Sequence, residues 1–219
     1  MKKFFMLAAF SLILAANFVS EASAENMFHI GGCVPFSHAR TRDSNLYRIN
    51  ISESGVGFSF DFTHVADCGF TIAPWITAGL IRAKSDWIPS LADTYMTGFE
   101  NSMGIGLGGS PIHNEKRTLT VLGKLGFRSQ DCDIEKDIRT SKEIHATLIT
   151  FCFSIGTEII YTQRFTEHIG MFFSTEFYLG AGEIRYEVTD AENQTYRRKS
   201  SGGGVQSTFQ PRIGLAVTL

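Results

Sequence analysis

Residues 208–219 constrain this chain most. Read in steps of two, Phe209, Pro211, Ile213, Leu215, Val217 and Leu219 fall on one side, and Thr208, Gln210, Arg212, Gly214, Ala216 and Thr218 on the other. Period-two alternation of this kind makes a strand with one apolar face and one polar or small face. A strand that ends on an apolar residue at the chain terminus needs a neighbour on each edge and something apolar against its outer face. The opposite end of the chain suggests what that is. Lys2 and Lys3 precede an apolar run, Phe4 to Ala16, and Ala22-Ser23-Ala24 forms a small-x-small site, the pattern of a secretory signal peptide. The sequence therefore predicts a cleavable signal over residues 1–24, cut after Ala24, and one exported domain over 25–219.

The same alternation recurs along the chain. It predicts strands over about 28–36, 55–63, 70–82, 100–112, 118–128, 145–161 and 169–188, each with bulky apolar residues on one face and small or polar ones on the other. In the second of these, Val56, Phe58, Phe60 and Phe62 oppose Gly57, Ser59, Asp61 and Thr63. The connections alternate long and short: 37–54, 83–99, 129–143 and 189–204 are polar and loop-like, whereas 66–69, 113–116 and 163–168 read as turns. Long outer loops, short periplasmic turns and an even strand count with both termini on one side are properties of transmembrane barrels. No later segment supplies the roughly 20 apolar residues of a membrane helix, so a membrane crossing by this chain must be a barrel. The prediction is an all-β, eight-stranded antiparallel up-and-down transmembrane β-barrel. Trp75, Trp87, Tyr161 and Tyr178, near strand ends in this reading, are expected in interfacial girdles.

The whole exported chain resembles the small eight-stranded bacterial outer-membrane barrel proteins, the OmpA/OmpX/OmpW-like group. The likeness lies in the signal peptide, the alternating strands, the loop asymmetry and the closing strand that starts at Phe209. That family usually ends on an aromatic residue, where this chain has Leu219. The resemblance implies location in the bacterial outer membrane, with its lipids, the barrel-insertion machinery and periplasmic chaperones as partners, and an extracellular or host ligand met through the loops.

Candidate chemistry is sparse. Asp61, Lys124, Glu158, Glu176 and Arg212 fall on inward faces, where opposite charges would pair into an interior polar network, because an unpaired buried charge is expensive. An eight-stranded barrel is just wide enough for its own side chains, so a plugged lumen is favoured over a narrow pore. Arg197, Arg198 and Lys199 form a basic cluster assigned to the last surface loop, able to meet anionic glycan or lipopolysaccharide. The six histidines show no metal-ligand spacing. His38, Asp43 and Ser44 share one expected loop, a weak trace of a lipid-modifying rim enzyme. The run Gly104-x-Gly106-x-Gly108-Gly109 lacks the following helix that a phosphate loop needs; it makes room across the lumen instead. No cofactor is implied, and a net charge of −2 leaves no footprint for nucleic acid. Of the four cysteines, Cys33 and Cys152 fall on inward faces, Cys68 in a turn and Cys132 in a loop; unpaired thiols are at least as expected as any bridge. The functional expectation is a non-enzymatic surface protein, structural or adhesive. The alternatives are a narrow channel or lateral-diffusion path for small solutes, and a soluble periplasmic ligand-binding barrel.

Overall fold

The computed structural model describes residues 25–43, 48–86, 95–134, 144–190 and 197–219; the expected signal peptide and Trp87 lie outside them. The strands are β1 (Glu25–Cys33), β2 (Phe36–Asp43), β3 (Arg48–Val65), β4 (Phe70–Ser85), β5 (Met96–His113), β6 (Arg117–Ile134), β7 (Ile144–Arg164), β8 (Ile169–Asp190) and β9 (Arg197–Thr218). β1 and β2 pair antiparallel with the same two neighbours, β3 and β9. They are one barrel strand interrupted at Val34-Pro35, where proline has no N–H to give the ladder. Val34 N still donates to Pro211 O at 3.1 Å and Gly55 N to Pro35 O at 3.0 Å. Nine segments thus make a closed ring of eight strands, each antiparallel to its sequence neighbour. The terminal strand is bonded on both edges, to β8 and to β1/β2, and Leu219 N reaches Asn26 O at 2.9 Å.

Short turns close the end at which Glu25 and Leu219 lie. Gly69 takes φ +82°, a region open to glycine, and its N–H bonds Ala66 O at 2.7 Å. At 113–116 the Asn114 side chain accepts from the amides of Lys116 and Arg117 at 3.0 and 2.9 Å, an Asx turn written by the sequence.

The belt of outward side chains decides the environment. Phe58 is 79% exposed, and Phe151, Phe153, Ile155, Leu179 and Leu215 each about half. So much contiguous apolar surface is not stable in water. Among the described residues no helix is long and apolar enough to cross a membrane; the crossing is made by strands.

The strands are much longer than the belt. β3 has 18 residues and β9 has 22. At about 3.3 Å per residue and a tilt near 40°, β3 alone rises about 45 Å, against an apolar band of about 25 Å. The excess lies at the extracellular end and corrects the sequence reading. Residues 37–43 and 48–54, taken as loop, are strand, as are 83–85, 96–99, 129–134, 189–190 and 197–204. Above the belt the polarity of the wall inverts. Arg40, Arg42, Arg82 and Asp131 face out, while Ala39, Ile49, Ile51, Ala83, Met96, Leu148, Ile184 and Tyr186 fill the inside. Polar residues on the outer face made this part read as loop.

Candidate functional site

Two buried polar layers cross the lumen. In the lower one, Glu158 on β7 and Glu176 on β8 are register partners, and like charges so placed repel. Two cations from other strands bridge them. Lys124 Nζ donates to Glu158 Oε2 at 2.7 Å and to Glu176 Oε1 at 2.8 Å. Arg212 reaches Glu176 Oε1 at 3.0 Å through Nε, bonds Glu158 through Nη2, and meets Asp61 at 3.0 Å through Nη1 and at 2.6 Å through Nη2. Tyr178 donates to Glu176 Oε2 at 2.7 Å, and Arg212 Nε to Ser174 Oγ at 2.8 Å. The Lys124 ammonium sits 4.2 Å from the Trp75 ring centroid, a cation–π contact. All five inward charges expected from the sequence, Asp61, Lys124, Glu158, Glu176 and Arg212, thus meet in one cluster, and their side chains are 0–1% exposed.

Trp75 and Tyr178 correct a second expectation. Both point into the lumen, 4% and 7% exposed, with ring centroids 5.6 Å apart, rather than standing in a girdle. Inward parity places them there. Tyr161 does face outward near the turn-bearing end. Glycines make room for the rings: a Cβ on Gly126 would lie 2.7 Å from Trp75 Cζ2, and one on Gly156 2.5 Å from Tyr178 Cδ1. Gly126→Ala is expected to cost about 1–3 kcal/mol through overpacking. Urea unfolding in detergent checks this, with the Trp75 fluorescence shifted in the folded state.

The upper layer was not anticipated. Arg128 bonds Glu100 and Thr208; Gln130 Nε2 donates to Glu53 Oε2 at 2.8 Å and Glu100 Oε2 at 3.2 Å; Gln206 Nε2 donates to Glu53 Oε2 at 2.8 Å. Between the layers lies a void of about 10 Å³ beside Trp75, Arg128, Tyr178 and Gln210, room for about one water. Extending the inward parity of Lys124 to Arg128 and Gln130, and that of Asp61 back to Glu53, finds this layer; the expected strands ended on Glu100 and Arg128 and left Glu53, Gln130 and Gln206 outside.

Below the central cluster, His29 is held between Thr162 Oγ1 at 3.1 Å and Thr63 Oγ1 at 3.3 Å, against the Phe172 ring. Ala73, Leu122, Ile160 and Phe172 pack as an apolar layer. At the turn-bearing mouth Arg164 forks Glu25, which also lies 3.0 Å from His113 Nε2.

The remaining candidates do not assemble into a site. His38 faces outward and accepts from Arg40 Nε at 3.2 Å, with Ser52 and Ser207 as its register partners on the neighbouring strands; Ser44 lies outside the described residues. Arg197, Arg198 and Lys199 are in β9, with Arg197 and Arg198 opposite Thr189 and Val188 and Lys199 opposite Glu187, not in a loop. The four thiols are free: Cys68 is exposed in its turn, Cys33 and Cys152 are buried, and Cys132 is buried on the inward face of β6 rather than in a loop. Among the described residues no group of three or more His, Cys, Asp or Glu side chains is placed to hold a metal ion.

This architecture is that of the small eight-stranded bacterial outer-membrane barrels. No protein-family model matches the chain, and no curated protein matches its sequence. Among solved structures it is similar to the outer membrane protein OprG from Pseudomonas aeruginosa, with a TM-score of 0.62 at 8% identity over 90% of this chain and 96% of that one. It is also similar to the outer membrane protein AlkL in lipid bilayers, with a TM-score of 0.50 at 8% identity over 92% and 94%. At such identity the likeness is one of fold.

Proposed function

We propose that the protein is an integral outer-membrane barrel, closed to solutes, which works without catalysis by presenting the rigid extracellular end of its wall. The observation that carries this reading is the burial of Lys124, Arg212, Asp61, Glu158 and Glu176, whose side chains are 0–1% exposed. A passage wide enough for water would wet whichever of these groups lined it. In this reading the two polar layers serve as a plug that fixes strand register from inside. The extended strands, with Arg197, Arg198 and Lys199 among them, serve as the contact surface toward lipids and extracellular ligands. His38, turned against Arg40, has no catalytic role.

Planar-bilayer recording tests the closed lumen. Purified wild-type protein is expected to insert without discrete conductance steps, while keeping a boiling-dependent shift in electrophoretic mobility. Reproducible single-channel steps would overturn the plug and favour the narrow-channel alternative. Recovery from the soluble periplasm without the shift would overturn the membrane reading itself.

A further inference from the structure

The outer wall is asymmetric where the belt ends. Near the upper edge of the belt Val56, Leu80 and Phe99 form an outward apolar row linked by strand register, with Val34, between β1 and β2, beside them. These residues, with Phe36 and Arg82 above them, line an outward groove of about 1010 Å³. Gly55 and Gly98, at inward positions, also line it, and a Cβ on Gly55 would sit 2.5 Å from Leu80 O, so the strands approach closely there. Directly above, the outward positions of β2, β3 and β4 carry Arg40, Arg42, Arg48, Arg82 and Lys84. Arg42 and Arg48 are register partners, and like charges facing across a strand pair are unfavourable unless an anion lies between them. Asp86 is the carboxylate of this strip among the described residues, and it bonds Asn50 through its side chain and backbone. The far end of the groove, on β6, carries Asp131 and Asp133, so an anion is drawn to the β2–β4 side and repelled from the other. Within the strip Arg40 Nε donates to His38 Nε2 at 3.2 Å and the Lys84 ammonium lies 5.8 Å from the Tyr95 ring centroid; on β8 Arg185 is bonded to its near neighbour Glu183, a carboxylate.

We propose that this strip and groove form a binding site for a phosphorylated glycolipid of the outer leaflet, with its phosphates on Arg40, Arg82 and Lys84 and an acyl chain along Val34, Val56, Leu80 and Phe99. The observations favour an amphiphile over a small anion, because the cations adjoin a groove with an apolar row, about 1010 Å³ in volume, at the edge of the membrane belt. Arginine is suited to phosphate because its planar fork can bind two oxygens. The inference rests on the membrane-barrel reading above.

The test uses the full-length mature protein in detergent micelles, titrated with diphosphorylated lipid A. Binding is followed as the rise in the temperature at which the boiling-dependent mobility shift occurs. Arg40→Gln, Arg82→Gln and Lys84→Gln combined are expected to weaken binding about tenfold or more through loss of charge-assisted contacts, while Arg185→Gln on the opposite wall leaves it unchanged. Dephosphorylated lipid A is expected to bind wild type at least about tenfold more weakly for the same reason. Wild type alone supplies a further check: raising salt from about 0.05 to about 0.5 M is expected to weaken binding, because the phosphates and cations remain partly solvated. Equal binding by wild type and the triple variant, equal binding of the dephosphorylated lipid, or full displacement by equimolar inorganic phosphate would each overturn the proposal. Absence of the mobility shift in wild type without lipid would instead overturn the barrel reading beneath it.

Discussion

Lys124→Ala is expected to cost about 3–5 kcal/mol, because it removes one of the two cations that bridge Glu158 and Glu176 and leaves Arg212 alone among three buried carboxylates. That is a large part of the roughly 5–15 kcal/mol that holds a typical fold together. Urea titration in lipid vesicles measures it, scored by the fraction that keeps its mobility shift without boiling. Trp75 fluorescence gives a second signal, since that ring lies 4.2 Å from the Lys124 ammonium. Lys124→Met combined with Glu158→Gln and Glu176→Gln is expected to recover most of the loss, since a neutral, filled core carries no uncompensated charge. The comparison separates dry from wet interiors. If alanine costs under about 1 kcal/mol, the cost typical of solvent-screened ion pairs, water reaches the cluster and the lumen is a passage.

Ile155→Arg is expected to destabilise the inserted barrel by about 2–4 kcal/mol, the cost of an arginine facing lipid near the bilayer midplane. Ile155 points outward in the middle of the β7 apolar face, beside Leu125 and Leu179 in neighbouring strands. Ile149→Arg, toward the extracellular edge of the belt, is expected to cost only about 0–1 kcal/mol, because the penalty fades toward the interface. The depth dependence is the informative part, measured as unfolding free energies in lipid vesicles. In a water-soluble barrel both substitutions would be close to neutral, so equal and small effects would refute the membrane belt.

Inside and outside were legible wherever the outward face is apolar. The faces read for Phe28 to Phe36, Val56 to Phe62 and Met171 to Leu179 are the faces found, because alternation fixes orientation once a strand is recognised. The central cluster followed from the same alternation, since Asp61 and Glu176 sit at inward parity within those stretches and Lys124, Glu158 and Arg212 do so in β6, β7 and β9. What the sequence concealed lies where the environment changes. His38, Arg40 and Arg42 are outward residues of a strand in water, and a polar outer face with small inner residues such as Ser37, Ala39 and Thr41 has the composition of a loop. Glu53, Gln130 and Gln206 were lost at the same boundary, and Glu100 and Arg128, at the very ends of their expected strands, lost the partners that would have marked them. Trp75 and Tyr178 misled for a different reason: aromatic residues favour the membrane interface on average, but their parity with Ala73 and Glu176 puts them inside, where glycines on the neighbouring strands receive the rings.

The inversion of polarity also bears on how the barrel reaches, and keeps, its depth. Arg40, Arg42, Arg48, Arg82 and Lys84 face outward beyond the hydrocarbon, so they must traverse it when the strands insert, at about 2.5–3.5 kcal/mol for each charge at the bilayer centre. Withdrawal toward the periplasm would bring the same side chains back into contact with acyl chains. The collar therefore works as a barb: hard to push through, and once through, a mechanical stop that sets the vertical position of the barrel and turns an equilibrium between depths into a one-way arrival.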